Sequence, residues 1–365
     1  MEQFRKITFI CVFVMLSGCS CNANNGAVID ADTDSDTNET GGSDSTNTDT
    51  GPVVIDEIID TDPSREMKWI NVEAGSFIFG SPEGTPCRSA YAEDQVNVTL
   101  THNIEVAETE VTQHQWKQSG LSLPPQSVDG DNFPVTWINF YEALAFCNAL
   151  SEKAGFNTCY DLATCSGEFA TACPEGELYE SGCGCSADDC SDSPNIYFCA
   201  NEIHKYENWY ECTGYRLPTT AEWEYFAKAG TTTTTYNGDV LSDAKYSCHD
   251  QPVLNDIAWY CYNSGEQLHP VAWKQPNSWG IYDILGNASE WVDYFTDGLS
   301  LDYMDGHPGE DLVDPIGPQS GQGKDLRGYD FRSIGCRMRA ARQKAVPPDS
   351  RGIYVGFRPV RTLSK

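Results

Sequence analysis

Basic residues are scarce in this chain: 23 Lys and Arg stand against 54 Asp and Glu, a formal net charge of −31 over 365 residues. A surface of that sign repels phosphate backbones and anionic headgroups, which excludes nucleic acid and anionic lipid as electrostatic partners and favours cations. Histidine is scarce too, with six scattered residues. Zinc cages and His-carboxylate iron centres therefore lack their usual ligands. Only Cys248-His249-Asp250 is dense enough to suggest metal ligation, and it reads as a surface turn. There is no glycine-rich phosphate loop and no G-x-S-x-G nucleophile elbow. Long apolar runs are missing as well: the N-terminal run from Ile7 to Leu16 is too short to span a bilayer.

What is present begins with that run. Arg5 and Lys6 precede it and small residues follow, the pattern of a secretory signal. Leu16-Ser17-Gly18-Cys19 resembles the bacterial lipobox, which implies a lipid-modified Cys19 after removal of residues 1–18; an ordinary signal peptide with a stray Cys is the competing reading. Ser20, rather than Asp, follows the Cys, so the implied anchor lies at the outer membrane or cell surface, the only membrane contact expected. From Ser20 to Ser64 there are eleven acidic residues and no Lys or Arg, among Thr, Asn, Ser and Gly. Such a stretch cannot bury enough apolar surface to offset its chain entropy, so 19–65 reads as a flexible acidic tether.

Sixteen cysteines in an exported chain are disulfide candidates. Eight lie between Cys159 and Cys212, among few aliphatics, which predicts a bridge-stapled, loop-rich insertion over 156–212. Thirteen follow residue 64, so one stays unpaired unless Cys21 or another chain partners it. Elsewhere in the body, 66–365, the pattern predicts a hairpin over Met67–Gly80 and a strand pair over Asn97–Val111. It also predicts two helices, one from Asn139 to Lys153 stopped by Gly155 and one opened by Thr219 with Glu222 and stopped by Gly230. The fold class expected is α+β, irregular and loop-rich, with two main helices and short strands.

One stretch, WGIYDILGNASEWVD, places Asp283 and Glu290 either side of Gly286-Asn287. The turn needs the Gly and Asn, because both tolerate positive φ. It does not need two carboxylates. Hard cations such as calcium take six to eight oxygens from carboxylates and carbonyls. Plain solvation of the acids is the alternative, and the local sequence leaves both open.

Seven segments then occur in one order: VEAGSFIFGSPEG, AETEVTQHQW, PVTWINFYEALAFCNALSEKAG, GYRLPTTAEWEYFAKAG, DIAWYCYNSGEQLHPV, NSWGIYDILGNASEW and YVGFRPVR. Together, over about Glu66 to Arg361, they resemble the formylglycine-generating-enzyme family, also called the sulfatase-modifying-factor domain. The resemblance implies a fold related to C-type lectins. It implies a calcium ion held by the Asp283 carboxylate, the Gly286 and Ala288 carbonyls and Glu290, whereas a second family calcium site loses its asparagine near Trp259.

Members that make formylglycine oxidise a substrate cysteine with oxygen on copper(I) held by two cysteines, a pairing that suits a soft ion. In LRGYDFRSIGCRMRAAR, Cys336 stands near the place of the second, but no cysteine occurs among Asp330 to Ser333 for the first. Tyr329-Asp330 replaces small pocket residues and Ser289 replaces a family Trp. These three departures argue against copper. Cys336 is the one catalytic candidate, and it reads better as a disulfide partner of Cys212, Cys248 or Cys261. Trp223, Trp291 and Phe357 are expected in the core, and Arg327, Arg342 and Arg358 on carboxylates or carbonyls. The expected function is a surface-tethered, calcium-stabilised binding or scaffold module for an unknown protein, peptide or glycan. A formylglycine-generating oxidase or related sulfur-oxidising metalloenzyme is the alternative.

Overall fold

The computed structural model describes residues 66–89, 93–169, 196–200, 203–241, 247–296, 311–318 and 320–364. The signal sequence, Cys19, the acidic tether and Cys173, Cys183, Cys185 and Cys190 lie outside them. In chain order the elements are β1 (Trp69–Val72), β2 (Gly75–Phe79), β3 (Val96–Leu100), β4 (Ile104–Ala107), α1 (Gln113–Gln118), α2 (Phe140–Ala154), β5 (Cys165–Ser166), β6 (Phe198–Cys199), β7 (Tyr215–Arg216), α3 (Thr220–Lys228), α4 (Pro252–Asn255), β8 (Ser289–Thr296), β9 (Asp311–Val313), β10 (Gly323–Arg327), β11 (Lys344–Val346), β12 (Val355–Gly356) and β13 (Val360–Thr362). Short strands and two longer helices make this an irregular α+β fold, as the sequence predicts.

The helices start where the side chains dictate. Asn139 and Glu142 form a reciprocal capping box on α2, and Gly155 closes it in the left-handed region at φ 76°. Thr219 and Glu222 do the same for α3, which ends on left-handed Ala229, one residue before the expected Gly230. Trp223, Phe226 and Ala227 form the buried stripe of α3.

The predicted hairpin over Met67–Gly80 does not form, and the two strands expected over Asn97–Val111 are present but do not pair with each other. β1 pairs with β4 and β2 with β3, so β1 and β2 fall in different sheets, as do β3 and β4: the sheets are β1-β4-β13-β7 and β2-β3-β9. Four register pairs join β1 to β4 and five join β2 to β3. The two crossovers are tied together where Ala74 N donates to Asn103 Oδ1 at 2.8 Å. A third sheet, β11-β10-β8-β12, has β8 near its centre, and this strand carries Glu290 and Asp293 into the interior.

The described part of the insertion is stapled as expected. Cys159–Cys212 closes its base and Cys165–Cys199 links β5 to β6. Bridges in such loop-rich regions typically contribute about 2 to 4 kcal/mol each. Two more bridges, Cys248–Cys261 and Cys87–Cys336, hold the body, and Cys147 is the free cysteine among the described residues, buried in α2.

Candidate functional site

The Gly-Asn turn is set by close approach. Asp283, Gly286 and Asn287 all have positive φ, at 52°, 80° and 55°. A Cβ on Gly286 would lie 2.2 Å from the Trp259 carbonyl oxygen, so glycine is required there. Asn287 knits four segments together. Its N donates to the Trp259 carbonyl (2.9 Å), its Oδ1 accepts from His269 N (3.0 Å), its Nδ2 donates to Glu110 Oε1 (3.1 Å) and its carbonyl accepts from Phe331 N (3.0 Å).

Asp283 and Glu290 are both buried, which removes the solvated reading. Glu290 is held on both oxygens by Arg358, through Nε at 2.8 Å and Nη2 at 2.6 Å, and it also accepts from Trp223 Nε1 at 2.7 Å. Asp283 Oδ2 accepts from Ala272 N at 2.6 Å. Burial raises the Asp283 carboxyl to about 6, against the pull of Arg358 and Lys274 and with Glu290 adding repulsion.

The sequence reading missed a third acid beside them. Glu110 is fully buried, and its Oε1 accepts from Asn287 Nδ2 and, at 3.4 Å, from Ala288 N. Its Oε2 has no hydrogen-bond partner. Burial, then Asp283 and Glu290, push its carboxyl well up, and Arg358 offsets this only in part. Glu110 sits in AETEVTQHQW immediately after the β4 edge, and no local pattern marks an acid there as interior. Three buried carboxylates thus share one close guanidinium, a deficit of positive charge that a proton or a cation can fill. No three Asp, Glu, His or Cys side chains among the described residues form a ready metal cage, so a hard cation would also draw on turn carbonyls. The chemistry of that donor set, oxygen only, fits calcium. At the second family position, the Trp259 ring is occupied otherwise: it stacks on His269 at 3.6 Å and carries the Lys274 ammonium at 3.9 Å.

Copper has no comparable site among the described residues. Cys336 is bonded to Cys87, 249 residues earlier, and not to Cys212, Cys248 or Cys261. Those three are taken by nearer partners, while Cys87 is carried to Cys336 by its own loop, where Arg339 donates to the Cys87 carbonyl and pairs with buried Glu93. Asp330 to Ser333 offer no thiol, and free Cys147 lies in the apolar cluster of α2, where burial pushes its thiol up, away from the thiolate that binds soft metals. The residues present do not fit a copper(I) pair. Tyr329, where the resemblance implies a small residue, is buried in the core cluster and its hydroxyl donates to the Gln343 carbonyl at 3.1 Å.

The predicted arginines take structural partners. Arg327 meets Glu224 at 2.7 Å and the Ala340 carbonyl at 2.8 Å, and Arg342 meets Glu93 at 3.5 Å. Trp223, Trp291 and Phe357 are fully buried.

A second polar cluster, invisible in the sequence, docks the insertion. Asp293 of β8 accepts from Lys324 Nζ of β10 at 2.8 Å, lies 2.7 Å from His204 Nε2 and accepts from the Tyr160 hydroxyl at 3.3 Å. Burial pushes the Asp293 carboxyl up, but His204 and Lys324 outweigh it and hold the group well below the usual range. His204 and Tyr160 belong to the insertion, so this network ties it to the central sheet.

Comparison with known proteins now adds to this geometry. A family described as the sulfatase-modifying factor enzyme 1-like domain matches residues 56–363. The chain belongs to this family. Over 237 residues it is 29% identical to the chaperone protein LppX of Paenibacillus barcinonensis, covering 60% of this chain and 69% of that one. It is 32% identical to the formylglycine-generating enzyme of Streptomyces coelicolor over 181 residues, 45% of this chain and 51% of the enzyme. The match thus spans about half the length of that enzyme. Among solved structures, Treponema denticola variable protein 1 superposes with a TM-score of 0.58 at 25% identity, covering 81% of this chain and 95% of that one. PvdO from Pseudomonas aeruginosa superposes at 0.54 with 19% identity, covering 82% and 96%, a likeness of fold. Membership gives the scaffold, and function has to be argued from the site.

Proposed function

We propose that this family member is a binding module whose oxidase chemistry is gone, stabilised by calcium and tethered at the outer membrane or cell surface through lipid on Cys19. The observation that carries the reading is the Cys87–Cys336 disulfide, which consumes the candidate catalytic thiol in a segment offering no second cysteine. Supporting it, a bulky Tyr329 packs into the core where the family resemblance implies a small residue, and a relative called a chaperone protein matches 60% of this chain. The calcium reading is supported by Glu110, whose Oε2 has no hydrogen-bond partner, and by the buried Asp283 carboxyl beside the Gly286-Asn287 turn. Four disulfides among the described residues fit export to an oxidising compartment.

A direct assay separates module from oxidase. Incubated with copper(I), oxygen, a thiol reductant and a sulfatase-type cysteine peptide, the protein should leave the peptide mass unchanged. The reductant favours the opposite outcome by opening accessible bridges, so sulfur loss from the peptide, dependent on Cys336, would restore the oxidase reading. The anchor is tested by fractionation: wild type should sediment with membranes and Cys19→Ala should move to the soluble fraction. Soluble wild type with an unmodified N terminus would remove the anchor from the proposal.

A further inference from the structure

The most exposed large apolar side chain among the described residues is Trp273, at 66%. Its loop is not loose. His269 N donates to Asn287 Oδ1, Val271 N to the Asn132 carbonyl at 2.9 Å, Ala272 N to Asp283 Oδ2 and Gln275 N to the Asp256 carbonyl at 2.8 Å. On the far side Lys274 is fixed over the Trp259 ring at 3.9 Å and donates to the Asn255 carbonyl. Ala272 takes φ 59°, a left-handed conformation that non-glycine residues adopt at some cost. Four backbone hydrogen bonds and a cation–π contact therefore hold a large indole in water, against the burial preference of its surface.

Beside the indole lies a cleft of about 150 Å³. Its other walls are mainly polar: Glu108, Thr109, Gln115 and Asn132 line it, with Lys68, whose ammonium lies 3.6 Å from Glu108. Neither the proposed calcium nor the lost copper chemistry uses these groups.

We infer that this cleft binds a neutral sugar residue of a glycan, with Trp273 as its stacking platform. A pyranose offers an apolar C–H face, which an exposed indole covers, and a rim of hydroxyls that both donate and accept. Carboxylate, amide and hydroxyl side chains meet that rim in both senses. A greasy peptide or acyl chain would strand the polar walls without partners. An anionic glycan would meet a body that carries 42 acidic against 21 basic residues. The fixed loop lowers the ordering cost of binding, because the aromatic anchor is already placed.

This names a ligand class for the proposed binding module and rests on that reading in part; the peptide assay above tests the module independently of any sugar. The experiment is a glycan array probed with the mature full-length chain, carrying neutral gluco-, galacto-, manno- and N-acetylglucosamine oligosaccharides beside sulfated and sialylated ones. Neutral oligosaccharides should be captured. Trp273→Ala should weaken that capture at least about tenfold, as loss of a central aromatic anchor does, while Trp273→Tyr retains most of it. Because Trp273 is exposed, the variant should melt with wild type, and Asn132→Ala, at an exposed residue of the same cleft, gives an independent weakening. No capture of neutral glycans, capture confined to anionic ones, or equal capture by wild type and Trp273→Ala would each overturn the inference. An array without capture beside an inert peptide assay would remove the sugar and leave the module.

Discussion

Replacing Asp293 with alanine should cost about 3 to 5 kcal/mol of unfolding free energy at pH 7, the range for stripping one partner from a buried ion pair. The reason is Lys324. Its side chain is 1% exposed, its ammonium lies against the rings of Phe295 and Phe140, and Asp293 is its salt-bridge partner at 2.8 Å. Without the carboxylate a buried ammonium is left uncompensated, and His204 and Tyr160 lose their hold on the sheet. Denaturant unfolding checks the size of the effect, and a loss below about 1 kcal/mol would show that the network carries little stability. The pH dependence follows from the depressed Asp293 carboxyl. A group whose folded-state pKa lies below its unfolded value of about 3.9 contributes stability above that value and loses it as pH falls further. Wild type should therefore lose part of its advantage over Asp293→Ala as pH drops from about 5 toward 2. An advantage constant across that window would contradict the assignment. Replacing both charges, Asp293→Leu with Lys324→Met, should recover much of the loss, since apolar substitutes for a buried pair are often neutral.

Arg358→Met tests the other buried cluster. The substitution removes the guanidinium from Glu290, with Asp283 and Glu110 close by, and also vacates its bonds to the Ala107, Glu108 and Tyr282 carbonyls. In the presence of a chelator the loss should again be about 3 to 5 kcal/mol. Calcium should then raise the melting temperature of the variant by more than it raises wild type, because the acids it neutralises have lost their protein counter-charge. For wild type, calcium at a hundredfold excess over its dissociation constant adds about 2.7 kcal/mol. That is on the order of 4 °C for a body of this size. Asp283→Asn should shrink the calcium shift while its amide oxygen still accepts from Ala272. Glu290→Ala is the poorer probe, since Arg358 and Trp223 make that residue structural even without a cation. Melting curves of wild type and Arg358→Met that ignore both calcium and chelator would remove the ion from the proposal.

The sequence by itself determined the elements whose causes are local. Asn139 with Glu142 and Thr219 with Glu222 set the helix starts, because a capping box is formed within four residues. Gly286 and Asn287 marked a left-handed turn, and the density of cysteines marked a stapled insertion. The ordered motifs identified the family, and the missing second cysteine near Cys336 was legible as a plain gap. Tertiary structure decided everything that depends on which distant segments meet. β1 took its partner from β4 and β2 from β3 rather than from each other, a choice set by which segments pack together, and Cys336 found Cys87, 249 residues away, a partner that spacing cannot indicate. Glu110, Asp293, His204 and Lys324 look like ordinary polar residues in the sequence. They became buried, charged and mutually dependent only once β4, β8, β10 and the insertion packed together, since burial is a property of the assembled fold and it is burial that gives a carboxylate its energetic weight.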